Sequence, residues 1–188
     1  MPGPMRRGAN VELTREIRGL TGVILGVAWN AGPETVLDAS MVMATILCDA
    51  NSKALSDEHF VFFNQLSTPD LSTHQLDVAL GGDKEQVEVD LPTVPAEVER
   101  IVIAVYVNEG PGSKRTLGQL RSCVVRVLNR DGNRELVRSE DLSAGLSAET
   151  ALALGELYRH DTGWKFKVLG QGYAGGVSAL AKDYGLTV

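Results

Sequence analysis

"TALALGELYRHDTGWKFKVLGQGYAG", residues 150–175, decides the fold class. Two runs of similar length flank "HDTGW", and the second alternates strictly: Trp164, Phe166 and Val168 against Lys165 and Lys167. An apolar/polar period of two is the signature of a half-buried strand, because successive side chains point to opposite faces. Asp161-Thr162-Gly163 between the runs reads as a short hairpin loop. The stretch is therefore an antiparallel strand pair, and an antiparallel pair needs further strands before it is stable.

Those further strands lie upstream. "VILGVAW" (23–29), "MVMATILC" (41–48), "HFVFFNQL" (59–66), "QVEVDL" (86–91), "RIVIAVYVN" (100–108), "SCVVRVLN" (122–129) and "ELVRSEDL" (135–142) are short and rich in β-branched or aromatic residues. Turn signals separate them: "NAGPET", "DANSK", "NEGPGSKR" and "NRDGNRE", the last with the hairpin dipeptide Asp131-Gly132. Many short strands at this spacing predict an all-β chain folded as an antiparallel β-sandwich. Helical spacing is confined to "GGVSALAKDYGL" (175–186), predicted as a short C-terminal helix, and "SKRTLGQLRS" (113–122), a short helix or turn. Pro92 and Pro95 predict a turn with a brief helical step at 95–99. No linker or repeat divides the chain, so residues 8–188 are expected to form one domain, and residues 1–7 to be disordered.

At 188 residues and 44% hydrophobic, the chain can bury one core. The absence of an 18-residue apolar run argues against membrane insertion, and the lack of an apolar segment after "MPGPMRRGAN" argues against a secretory signal. Cys48 and Cys123 sit in apolar settings and read as buried reduced thiols, which fits a cytoplasmic protein. The net charge of −6 is uneven: residues 29–93 carry eleven acids against Lys53 and Lys84, whereas residues 1–28 carry four basic and two acidic side chains. Such a field attracts cations and repels phosphate backbones, so nucleic acid is not an expected partner.

Four motifs test poorly. "GQGYAG" (170–175) fits the G-x-G-x-x-G spacing, but thirteen residues follow it, too few for a return strand and an acidic ribose ligand about 20 residues on. It reads as a tight glycine corner from strand to helix. "DANSKALSDEHF" (49–60) opens like a calcium loop, yet Ala54 and Phe60 stand where Gly and Glu are needed, leaving a surface turn. "GPGSKRT" (110–116) lacks the spacing of a phosphate loop, and Lys114 and Arg115 read as a solvated tip. His59, His74 and His160 are scattered with no nucleophile elbow, so no enzyme is expected; a hydrolase would need His74 beside a nucleophile.

"STHQLDVALGGDKEQVEVDL" (72–91) carries more. Calcium takes six to eight oxygen ligands, and Asp77, Asp83 and Glu85 share a flexible Gly-bearing segment. Asp38 ends a turn before the strand at 41–48, and Asn64 closes the aromatic strand at 59–64, so these side chains could converge at one end of a sandwich. Spacing leaves two readings open, a calcium loop or a solvated acidic turn.

"GANVELT", "GVAWN", "LDAS", "HFVFFNQLSTPD", "LGELYRHDTGWKFKVLGQGYAGG" and "ALAKDYGL", in that order, resemble the TerD domain family of tellurium-resistance and stress proteins from Gly8 to Val188. The resemblance implies a cytoplasmic, calcium-binding, non-catalytic β-sandwich acting in tellurite and chemical stress, with other proteins of that system as partners. It places Asp38 in the family's first acidic segment, Asn64 and Asp70 in its "NNLTSPDG"-like stretch, and Asp77, Asp83 and Glu85 in its acidic loop. This chain departs from that pattern. Val36 replaces an Asp, Leu76 and Val78 flank Asp77, and the cluster shrinks to "GGDKE" with Lys84 inside it. Lower ligand charge weakens a calcium site. The alternative is a metal-independent interaction scaffold that has lost the site.

Overall fold

The computed structural model describes residues 3–109 and 115–187. In chain order the elements are β1 (Asn10–Glu12), β2 (Gly22–Asn30), α1 (Thr35–Ser40), β3 (Met41–Cys48), β4 (Phe60–Val61), β5 (Thr73–Gln75) and β6 (Glu85–Asp90). They continue with β7 (Arg100–Val107), β8 (Ser122–Asn129), β9 (Glu135–Arg138), β10 (Ala151–His160), β11 (Gly163–Tyr173) and α2 (Gly176–Asp183). A six-stranded sheet runs β1-β11-β10-β7-β3-β4 and a five-stranded sheet β5-β6-β2-β8-β9, with every strand pair antiparallel. The sandwich and its short C-terminal helix are as the sequence predicts.

The core lies between the sheets, where Leu25, Val27, Met43, Leu47, Ile101, Ile103, Val127, Leu157 and Phe166 are buried. A second apolar layer covers the outer face of the larger sheet: Leu180, Ala181 and Tyr184 at the C-terminal helix pack on Ala44, Ile46, Val102, Ala104 and Ala153. β3 and β7 are thus buried on both faces, which is why "MVMATILC" and "RIVIAVYV", Thr45 and Arg100 apart, are apolar instead of alternating. The β10–β11 hairpin closes through a His160–Gly163 pair, with Asp161 in the left-handed region at φ +55°. Its one irregularity falls at Gly155, where an added Cβ would lie 2.6 Å from Phe166 Cζ; the missing side chain lets the Phe166 ring into the core.

Several local expectations change. The strand expected at 59–66 shortens to β4, because Phe62 and Gln65 exchange backbone hydrogen bonds and Gln65 Nε2 donates to the Phe60 carbonyl (2.7 Å), turning the chain. The helical step falls at Leu91–Thr93, not at 95–99, with Pro92 in its first turn and Thr93 Oγ1 donating to Asp90 Oδ2 (2.7 Å). Within 113–122, Leu117–Gln119 forms a 3-10 turn closed by a Thr116/Gln119 capping box; the tip residue Lys114 lies outside the described residues. The strand expected at 135–142 ends at Arg138. From Gly3 onward the N-terminal segment expected to be disordered is described and tied down. Met5 N–H donates to Arg138 O and the Met5 carbonyl accepts from Glu140 N–H (both 2.8 Å), and Arg7 Nη2 donates to Leu142 O (2.9 Å).

Candidate metal centre

β2 is the middle strand of the smaller sheet, between β6 and β8. On its outer face Gly22 and Gly26 flank Ile24, and both glycines leave room for charges that cross over the strand. A Cβ at Gly26 would lie 2.0 Å from Asp83 Oδ2, and one at Gly22 would lie 2.3 Å from Arg130 Cζ. Through the first gap Asp83, just ahead of β6, reaches Arg126 of β8: Nε to Oδ1 and Nη2 to Oδ2, both 2.8 Å. Through the second, Arg130 Nη1 meets Asp90 Oδ1 at 2.8 Å.

The Asp83 side chain has no exposed surface, and Gln86 Nε2 donates to its Oδ2 at 2.7 Å. Both carboxylate oxygens are therefore taken by protein donors, one pair of them in the bidentate fork that arginine makes best. Arg126 also donates to Gly81 O (3.3 Å) and Glu135 (3.0 Å), fastening the 76–84 loop onto the sheet. The hydrogen bond to Asp83 pushes the Arg126 guanidinium further above its already high range. Hydrogen bonds from Arg138 and Arg126 outweigh burial and hold Glu135 below the usual carboxylate range.

Glu85, two residues on, points the other way, between the sheets. Its Oε2 accepts from Met43 N–H (2.9 Å) and its Oε1 from Gln75 Nε2 (3.0 Å). β4 pairs only with Thr45 and Ile46, so Glu85 satisfies the β3 edge where that cover is missing. Burial outweighs these bonds and raises the Glu85 carboxyl above its ordinary value.

Asp38, on α1, accepts from Trp29 Nε1 (2.8 Å) and pairs with Lys84 Nζ (3.2 Å) in a polar cavity of about 270 Å³ that Asn30, Gly32 and Thr35 also line. Asp70 closes its own turn, accepting from Thr68 Oγ1 (3.0 Å) and Ser72 N–H (2.8 Å). Against a burial effect that raises it, these bonds hold Asp70 below the usual range. Asn64 and Asp77 are exposed. Lys84 thus joins Asp38 to the loop, but the six candidate ligands otherwise separate: Asp83 over the outer sheet face, Glu85 between the sheets, and Asp70 on the 62–72 turn. Among the described residues, no three Asp, Glu, His or Cys side chains are grouped as metal ligands. The donor set does not fit calcium, because Arg126 already engages both oxygens of Asp83 and Lys84 pairs with Asp38.

Sequence reasoning missed the cations. Arg126 and Arg130 lie some forty residues from their partners, and the available signal was the glycine pair four apart in an otherwise buried strand, "GVILG". It also missed a contact at His59, whose Nδ1 lies 2.7 Å from Ser56 Oγ and whose Nε2 lies 3.8 Å from Asp70 Oδ2. Ser56 Oγ accepts from Glu58 N–H as the cap of the Asp57–His59 turn, so this grouping is a local cap. His74, the residue a hydrolase would have needed, faces Glu88 at 4.0 Å. "DANSK" is a surface turn in which Asp49 Oδ1 accepts from Asn51 and Lys53 N–H. Cys48 and Cys123 are buried free thiols, each pushed up to about 12, first by burial. No helix among the described residues is long and apolar enough to cross a membrane.

The fold and its outer-face charge ladder define a two-sheet antiparallel sandwich built around a folded-down acidic loop. Comparison with known proteins places it. The TerD domain profile matches residues 1–184, and this chain belongs to the TerD domain family. It is similar to the tellurium resistance protein TerD of Serratia marcescens, 34% identical over 186 residues that cover 97% of this chain and 96% of that one. It is also similar to general stress protein 16U of Bacillus subtilis, 37% identical over 193 residues, 98% and 97% of the two chains. A solved homologue of the telluride resistance protein TerD from Streptomyces coelicolor has the same fold, with TM-score 0.65 and 20% identity, covering 87% of this chain and 96% of its own. Tellurium and stress resistance is thus the functional setting of the family, and the names of these relatives indicate no catalytic activity.

Proposed function

We propose that this chain is a non-catalytic interaction module of cytoplasmic tellurium and chemical-stress resistance that works without a bound metal. One observation carries the reading: Arg126 grips the carboxylate of the acidic loop that is most deeply buried, with both oxygens of Asp83 engaged. Lys84 against Asp38 supports it at the sandwich end. In an oxygen cage, calcium would neutralise clustered carboxylates and order the loop that carries them. Here two side-chain cations of the chain perform both tasks permanently. The ordered loops then present a constant surface to other proteins of the resistance system, and calcium concentration does not gate it.

The test is complementation of a tellurite-sensitive strain that lacks its own TerD-family protein. The wild-type chain and an Asn64→Ala/Asp77→Ala variant, at two exposed candidate ligands outside the Arg126–Asp83 and Lys84–Asp38 pairs, are expected to protect equally. Protection by the wild type that the double variant loses would return these residues to a calcium role. No protection by either would remove the chain from tellurite resistance.

A further inference from the structure

Ile24 of β2 and Leu128 of β8 are cross-strand neighbours on the outer face of the smaller sheet. They are 7% and 5% exposed, yet they belong to neither of the two hydrophobic clusters that hold the fold together. With Leu76, Val78 and Leu80 of the 76–84 loop, and with Asn133, they line a cavity of about 240 Å³. The loop brings its apolar side chains at every second position, the spacing that sets them on one face of an extended segment, with exposed Asp77 between the first two. Val78 and Leu80 nevertheless stay 69% and 58% exposed. The cavity is thus apolar on floor and wall and open to solvent.

Its walls are fixed in advance. Leu76 N–H donates to Gln86 O (2.9 Å), and the Gln86 side chain accepts from Leu80 N–H (3.3 Å) and donates to Leu80 O (3.0 Å). Arg126 holds Gly81 O and Asp83 at the far end of the loop. The one charged residue in the lining, Arg126, is already neutralised by Asp83 and Glu135. A charged ligand would therefore lose its hydration with no counter-charge to meet it, whereas an apolar one would cover Val78 and Leu80. Asn133, exposed beside the apolar lining, makes no side-chain hydrogen bond among the described residues and offers one polar contact.

We propose that this cavity binds a small uncharged molecule with an apolar body and one hydroxyl, of the phenol or short-chain alcohol type. Size agrees: an engineered apolar cavity of about 150 Å³ takes up benzene, so about 240 Å³ admits a ring with a small substituent. The apolar body lies on Ile24 and Leu128 under the loop, and the hydroxyl meets the Asn133 amide. The site is separate from the interaction surface proposed above and does not depend on it.

Methyl NMR of the full chain, titrated with para-cresol, tests this. Saturable shifts are expected at Ile24, Leu76, Val78, Leu80 and Leu128 and nowhere in the core between the sheets. Val78→Ser/Leu80→Ser strips the exposed wall, whose side chains the fold does not bury, and is expected to weaken binding about tenfold or more with an unchanged melt. Asn133→Gly keeps the left-handed backbone, removes the amide and is expected to weaken binding by a smaller factor. The charged analogue para-toluate is expected to bind about tenfold more weakly or worse. No saturable shift up to the solubility of para-cresol, shifts spread evenly over the surface, or a double variant that binds as well as the wild type overturns the site. So do shifts at these five residues that follow protein concentration without any cresol, because a second copy would then fill the cavity.

Discussion

Gly26 and Asp83 make sense only together: the strand gives up a side chain where the loop lays down a carboxylate, and Arg126 holds it from the far side. Removing one partner of a buried pair costs about 3–5 kcal/mol because the other charge is stranded, while replacing both with apolar residues of similar size is often neutral. Arg126→Ala is therefore expected to lower stability by that order, and Asp83→Leu/Arg126→Met to recover most of it, as read from denaturant midpoints. If Arg126→Ala costs less than about 1 kcal/mol, the value typical of exposed pairs, the pair is not the fastener described. Thr45 poses the opposite case. Its hydroxyl is fully buried between the sheets and has no hydrogen-bond partner among the described residues, and leaving such a group unsatisfied costs about 1–3 kcal/mol. Thr45→Val keeps the shape and is expected to stabilise the protein by about 1 kcal/mol. A loss of that size would mean the hydroxyl is bonded in solution.

Among the elements, β3 shows how a short neighbour leaves work for a side chain. β4 covers only two of its residues, and Glu85 takes the next free N–H. Because burial raises the Glu85 carboxyl, the folded chain binds this proton more tightly than the unfolded chain does. The contribution is therefore complete below the ordinary glutamate value and lost as pH rises through the raised folded value. Glu85→Gln is expected to raise stability at neutral pH, since it removes a buried charge and, with the Gln75 amide turned over, its own amide donates to Gln75 Oε1, which is buried without a partner among the described residues. That gain should shrink as pH falls and the native carboxyl protonates. A gain that grows in acid would contradict the assignment. Glu135 runs the other way, with stability present above its ordinary value and lost as pH falls through its lowered one.

Elements held by local signals were legible in the sequence. The β10–β11 hairpin declares itself through its turn and alternation, and α2 through its one-face spacing. β1 and β5, three residues each, and α1, six residues, were not. Such short elements exist because a neighbouring edge or a preceding turn supports them, and single-chain periodicity cannot record that. The acids of the candidate site were legible as residues but not as a place. Asp83 and Glu85 are two apart in sequence, yet the folded-down loop sends one outside the sheet and the other between the sheets.

Taken whole, the molecule is a sandwich whose acidic end is neutralised from within. Arg126, Arg130 and Lys84 sit where the acids of residues 29–93 would otherwise repel one another. The direct measurement of this claim is a thermal melt of the full chain in excess chelator, in millimolar calcium and in millimolar magnesium. A ligand at 100 times its dissociation constant would add about 2.7 kcal/mol, roughly 5–10 °C for a chain of this length. Coincident melts in all three conditions are the expected result. A calcium-selective rise of several degrees, lost in Asp77→Ala, would show that an ion and not the chain's own cations completes the acidic end.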